Sequence, residues 1–65
     1  MSDIVEKTTA SEITFTAMTE RAQSWMRDYC GTVPTVTYRL LNRDERAAEF
    51  RRLAKSKELK ITPIR

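Results

Sequence analysis

A chain of 65 residues with one cysteine and no histidine cannot stabilise its fold with an internal disulfide or a structural zinc site. A domain this short buries only about 60% of its unfolded surface, and its core supplies about 3–5 kcal/mol of net stability. Association is the remaining way to gain stability. We therefore expect a single small domain that forms a homo-oligomer, most simply a homodimer, with a marginally stable monomer as the alternative.

The composition is that of a folded domain, with 40% hydrophobic and 32% charged residues. The polar start Met1-Ser2-Asp3 is unlike a secretory signal peptide, and no apolar run approaches the length of a membrane span. An unpaired cysteine is typical of proteins in a reducing compartment. The sequence thus predicts a cytoplasmic protein that does not contact a membrane.

An amphipathic pattern predicts a first helix at about 17–30. Six apolar residues share one arc of this helix: Met18, Ala22, Trp25, Met26, Tyr29 and Cys30. Gly31, the only glycine of the chain, follows at the position where a left-handed residue commonly ends a helix.

A second helix is predicted at about 43–57. Asn42 is expected to be its N-cap, and Glu45 stands three residues later as in a capping box. The residues expected on its buried stripe are Ala47, Phe50, Leu53 and Ala54.

Alternating polar and apolar residues predict short strands at 12–16, 35–40 and 59–62, the last an edge strand because it precedes Pro63. Residues 1–11 show no period and are interpreted as a flexible N-terminal lead to a single domain at 12–65. These elements predict a small two-layer α+β fold, with both helices on one face of a two- to three-stranded sheet. An all-α helical hairpin is the alternative.

The residue types present argue against catalysis. Without histidine the chain lacks the commonest general acid–base and the Ser-His and Cys-His nucleophile pairs. Cys30 lies on the apolar arc of the first helix and is interpreted as a packing residue. A single glycine is incompatible with a phosphate-binding loop. We expect a protein that is not an enzyme, with no catalytic residue, no metal site and no cofactor.

Charge is distributed unevenly along the chain. The formal charge is −2 for residues 1–32, zero for 33–49 and +5 for 50–65. A basic end on a near-neutral body is typical of proteins that bind nucleic acid or an acidic protein surface. The residues expected to contact phosphates are Arg39, Arg51, Arg52, Lys55, Lys57 and Lys60. Such a pattern also complements the dipole of the second helix, and the sequence leaves this alternative open.

The leading functional prediction is a small regulatory or accessory protein that binds nucleic acid through a basic C-terminal helix. The alternative is an inhibitor or adaptor that docks on a larger protein through an aromatic and methionine-rich helix face. The residues expected on that face, which is also the expected dimer interface, are Met18, Trp25, Met26 and Tyr29. Chains of this size without motifs are common among accessory proteins of phages and mobile elements.

Overall fold

A computed structural model describes residues 2–64, apart from the side chains of residues 41–44. The elements in chain order are β1 (Ile4–Thr8), β2 (Glu12–Ala17), α1 (Glu20–Cys30), β3 (Thr35–Arg39), α2 (Leu40–Ser56) and β4 (Ile61–Ile64). The strands form one mixed sheet in the order β3-β2-β1-β4, in which β1 and β4 are parallel and the other neighbours antiparallel. The predicted α+β class is confirmed, and the all-α hairpin is wrong.

The sheet has four strands rather than two or three because the N-terminal segment forms a strand. Residues 4–8, predicted to belong to a flexible lead, form β1 in the interior of the sheet, between β2 and β4. Ile4 is fully buried, and Glu6 lies opposite the buried Phe15 in the register of β1 and β2. Because cross-strand partners share a face, the carboxylate of Glu6 points toward the core side of the sheet.

A single hydrophobic cluster joins the helices to the sheet. Its members come from β1, β2, both helices and the loop before β4: Ile4, Ile13, Phe15, Ala17, Ala22, Met26, Ala47, Phe50, Ala54 and Leu59. At its centre the rings of Phe15 and Phe50 stack with their centroids 4.1 Å apart. Leu53, expected on the buried stripe of the second helix, is only partly buried.

Helix α1 begins at Glu20, three residues later than predicted, because β2 continues to Ala17. The N–H of Ala17 donates to the carbonyl of Pro34 at 2.7 Å, which keeps this residue in the sheet. Thr19 is the N-cap, and its Oγ1 accepts a hydrogen bond from the N–H of Ala22 at 3.2 Å. The predicted end is confirmed, since Gly31 adopts a left-handed conformation with φ of 72°.

Helix α2 begins at Leu40, directly after β3, so Asn42 is a helical residue and not the N-cap. Arg39 occupies the cap position without a side-chain hydrogen bond. The N–H of Leu40 donates to the carbonyl of Ser11 at 2.9 Å, immediately before the first residue of β2. The register with β2 ends at Arg39, and the chain enters the helix at the next residue. The side chains of Asn42 and Asp44 lie outside the described part of the structure.

Candidate nucleic-acid interface

Helix α2 ends in a tight turn that exposes basic side chains on both sides of one buried leucine. The N–H of Leu59 donates to the carbonyl of Ala54 at 3.0 Å, and that of Glu58 to the carbonyl of Lys55 at 2.9 Å. This pair of bonds is a Schellman motif, whose left-handed position is occupied by Glu58 with φ of 61°. Because Leu59 is buried, Lys57 and Lys60 are both held at the surface next to the end of the helix.

Five exposed cationic residues surround this turn, and we call them the basic end: Arg21, Arg52, Lys55, Lys57 and Lys60. Four of them were predicted from the sequence. Arg52 and Lys55 lie on the solvent side of the last turns of α2, Lys57 is the C-cap, and Lys60 precedes β4. Glu58 is the acidic residue of this turn, and the sequence from Phe50 onward contains no other aspartate or glutamate.

Arg21 was not predicted, because it lies in the acid-rich half of the sequence. Its Nη2 donates to the carbonyl oxygens of Lys57 at 3.0 Å and Glu58 at 3.1 Å. A cation on these carbonyls offsets the partial negative charge at the end of a helix. Only the antiparallel packing of α1 against α2 brings this arginine to the turn, so no local sequence signal could have identified it.

Arg51 does not belong to the basic end, although the sequence grouped it with Arg52 and Lys55. Its Nε and Nη2 donate to the two carboxylate oxygens of Glu6, at 2.8 and 2.9 Å. Its guanidinium carbon also lies 5.9 Å from the centroid of the Phe15 ring. The hydrogen bonds to Glu6 raise the pKa of Arg51 above its ordinary value. The charge of Arg51 is therefore paired with that of Glu6, at a partly exposed position.

Arg39 lies far from the other predicted phosphate contacts. It is the N-cap of α2, whereas Lys57 is the C-cap, and a helix of 17 residues separates the two by about 25 Å. In the sheet register Arg39 is the cross-strand neighbour of Glu12, an acid. The structure does not bring Arg39 together with the basic end.

The predicted aromatic and methionine face is divided by the fold. Met26 is fully buried and therefore a core residue, and Met18 lies outside α1 with 58% of its surface exposed. Trp25 and Tyr29 remain half-buried on α1, stacked with their ring centroids 5.2 Å apart. Trp25 also makes an edge contact with Phe50 at 5.1 Å. Only this aromatic pair remains a candidate for a partly exposed docking surface.

Tyr29 is also fixed by a polar contact. Its hydroxyl donates to Oε1 of Glu49 at 2.9 Å, which ties α1 to α2. Partial burial, together with this hydrogen bond to a carboxylate, raises the pKa of Tyr29 to about 12. At neutral pH the tyrosine is therefore a neutral hydrogen-bond donor.

The aromatic pair and the basic end are neighbours in space. A groove of about 330 Å³ between α1 and the turn that ends α2 is lined by Arg21, Ser24, Trp25, Asp28, Lys57 and Leu59. Trp25 thus shares a groove with two cations and one acid. The sequence predicts two separate surfaces for the aromatic and the basic residues. In the structure the antiparallel helices place them side by side.

Among the described residues, no group of three His, Cys, Asp or Glu side chains is arranged to hold a metal ion. Cys30 is partly buried, and its Sγ donates to the carbonyl of Met26 at 3.2 Å. Neither helix in the described part of the chain has the length and hydrophobicity needed to cross a membrane. Comparisons with known protein families, curated proteins and solved structures found no match.

Proposed function

We propose that this protein is a small non-enzymatic accessory protein that binds nucleic acid through the phosphate backbone, using the basic end. The proposal rests on the exposed cations that α1, α2 and the loop before β4 contribute around one turn. Glu58 is the acidic residue of that turn. Lysine and arginine at the surface bind phosphates by charge and release counterions from the nucleic acid. Such contacts give affinity without sequence preference.

The number of available cations sets the strength of the expected interaction. Arg21 is partly occupied by the carbonyls of Lys57 and Glu58, and Asp28 lies in the same groove. We therefore expect about three to four phosphate contacts, which make the affinity strongly dependent on salt. Trp25 lines the adjoining groove, which places a half-buried aromatic side chain beside these cations.

Charge substitutions with a matched control test the proposal. In the test variant, Arg52, Lys55 and Lys57 are each replaced by glutamine; in the control variant, Lys7, Arg27 and Arg46 are replaced by glutamine. All six side chains are exposed, and each variant loses three positive charges. Binding to a labelled duplex is measured by fluorescence anisotropy. We expect the test variant to lose most of its affinity at low salt and to show a smaller salt slope than the control variant. Equal affinity of the two variants would contradict the assignment.

Docking on an acidic protein partner is the second candidate function, favoured by the groove that Trp25 lines together with Arg21 and Lys57. Aromatic and arginine side chains at a surface are typical anchors of protein interfaces. In this case the protein would bind its partner through the same end of the molecule but would bind duplex DNA no more strongly than the test variant does.

A further inference from the structure

The two edges of the sheet differ in their capacity to pair with another strand. At the β4 edge, the N–H of Ile4 donates to the carbonyl of Lys60 at 2.9 Å. In a parallel ladder this places the backbone groups of residues 60, 62 and 64 toward β1, and those of Ile61 and Pro63 toward the free edge. Pro63 has no N–H to donate there. This edge is therefore blunted by a proline, as edge strands commonly are.

The β3 edge has no such protection. The N–H groups of Ala17 and Leu40 donate to the carbonyls of Pro34 and Ser11, at 2.7 and 2.9 Å. Because hydrogen-bonded pairs alternate along an antiparallel ladder, the even-numbered residues of β3 face β2. The N–H and C=O groups of Thr35, Thr37 and Arg39 then face outward. Among residues 2–64, no strand pairs with this edge.

We propose that β3 pairs antiparallel with β3 of a second copy of this chain, about a two-fold axis at Thr37. In this register Thr37 is opposite Thr37 of the second copy, and Thr35 is opposite Arg39. All the outward-facing backbone groups of both strands then pair, with about six N–H···O bonds. The two sheets become continuous across the axis.

The side chains of β3 suit this register on both faces. On the core side, Val36 becomes the neighbour of Tyr38 of the second copy, and both residues are only half-buried in one chain. They line a cavity of about 700 Å³ between the two helices that opens beside β3. A second strand along this edge covers their exposed apolar surface. An aromatic residue beside a β-branched residue is a favourable cross-strand pair.

On the other face, β3 carries a row of threonines that the second copy extends. Thr14 and Thr37 are within hydrogen-bonding distance at 3.2 Å, as are Thr16 and Thr35 at 3.3 Å. Pairing at Thr37 continues this row across the axis. Arg39 of each copy is opposite a threonine, so no like charges are paired.

The symmetry of this pairing closes the assembly at two chains. Both free edges of the joined sheet are β4 strands, and each carries Pro63 at an outward-facing position. The dimer also supplies stabilisation beyond what the core of one short chain provides. The dimer interface is then the β3 edge and not the helix face that carries Trp25 and Tyr29.

Sedimentation equilibrium of the parent and of two variants at Thr37 tests the pairing. Thr37→Pro removes an N–H that faces the free edge and leaves the ladder to β2 complete, whereas Thr37→Val retains the N–H. We expect the parent to dimerise, Thr37→Pro to raise the dimer dissociation constant about tenfold or more, and Thr37→Val to change it less than about threefold. A parent that stays monomeric between about 1 µM and 1 mM overturns the proposal, as does a dimer that is equally tight with Thr37→Pro.

Cross-linking gives an independent result if Thr37→Pro fails to fold. In a Cys30→Ser background, Thr37→Cys places two thiols on either side of the axis, where the Cα atoms of a hydrogen-bonded pair are about 5.5 Å apart. Thr14→Cys, on the same face but one strand away from the edge, is the matched control. We expect mild oxidation to link Thr37→Cys into dimers at least about tenfold faster than Thr14→Cys. Equal rates overturn the proposal.

Discussion

Arg51 and Glu6 form a two-point ion pair between α2 and β1, although 45 residues separate them in the sequence. The side chain of Glu6 is 12% exposed and that of Arg51 is 42% exposed. Arg51 thus donates a hydrogen bond to each oxygen of a carboxylate that lies on the core side of the sheet. A charged residue that points inward is tolerated in β1 because its partner is supplied by the helix that crosses above it.

The first prediction concerns this pair. Arg51→Gln, Glu6→Gln and the double variant form a cycle whose coupling free energy we expect to be about 1 kcal/mol, because the geometry is bidentate but the arginine is partly solvated. Urea unfolding of the four proteins measures it. Arg51→Gln should also leave DNA affinity within about twofold of the parent, since its charge is already paired with that of Glu6. A loss of affinity as large as that of Lys55→Gln would restore Arg51 to the interface.

Glu58 is the subject of the second prediction. It occupies the left-handed position of the turn that ends α2, where an L-residue other than glycine is strained by about 1–2 kcal/mol. We expect Glu58→Gly to raise the free energy of unfolding by about 1 kcal/mol and Glu58→Gln to leave it nearly unchanged. Both variants should raise DNA affinity to a similar degree, because both remove the acid of this turn. Equal stabilities of the glycine and glutamine variants would contradict the structural part of this account.

Several elements could be predicted from the sequence because their signals are local. Gly31 ends α1 through its own left-handed preference, and the alternation at residues 12–16 and 35–40 corresponds to β2 and β3. β1 could not be predicted in this way. Its inward positions include Glu6, and only a contact with Arg51 makes a carboxylate acceptable there. The alternation of this strand is therefore concealed by a charge whose partner is distant in sequence.

The candidate site was also only partly predictable. Exposed lysines of the last turns of α2 follow from helical periodicity, and Lys55 and Lys57 are exposed as expected. Periodicity cannot distinguish Arg51 from Arg52 when the flank of the helix faces an acid of the sheet. Nor can it place Arg21 at the end of another helix. Both differences arise from tertiary packing, which composition and spacing do not encode.

The third prediction concerns Trp25 and whether this residue packs in the core or forms a docking surface. Its ring contacts Phe50 and Tyr29, and it is half-buried. We expect Trp25→Ala to lower the free energy of unfolding by about 2–4 kcal/mol, close to the whole stability of so small a domain, and Trp25→Phe to lose less than about 2 kcal/mol. Thermal unfolding followed by circular dichroism measures both. A loss below about 1 kcal/mol for Trp25→Ala would identify a surface aromatic and favour the docking role.

The fourth prediction concerns acid stability and Asp3. The N–H of Lys60 donates to Oδ2 of Asp3 at 3.0 Å, and Oγ1 of Thr19 donates to Oδ1 at 2.9 Å. These two hydrogen bonds lower the pKa of Asp3 below its ordinary value of 3.8, with the bond from Lys60 as the larger cause. Because the unfolded chain binds this proton more tightly, the stabilisation is complete above the ordinary pKa and is lost as the pH falls through the folded value.

Urea unfolding between about pH 6 and pH 2 tests this prediction with the parent and Asp3→Asn. The parent should be more stable than Asp3→Asn above about pH 5, and the difference should shrink as the pH falls below about 4. A difference that stays constant across this range would show that the carboxylate charge contributes nothing through these hydrogen bonds.

The most direct test of the proposed function is the salt dependence of DNA binding by the unmodified protein. Fluorescence anisotropy of a labelled duplex is recorded as the protein is titrated at about 50 mM and 200 mM salt. If the basic end contacts about three to four phosphates, the affinity should fall by roughly two decades between these conditions. No binding at the lower salt concentration, or an affinity that does not change with salt, would contradict the claim that this surface binds nucleic acid.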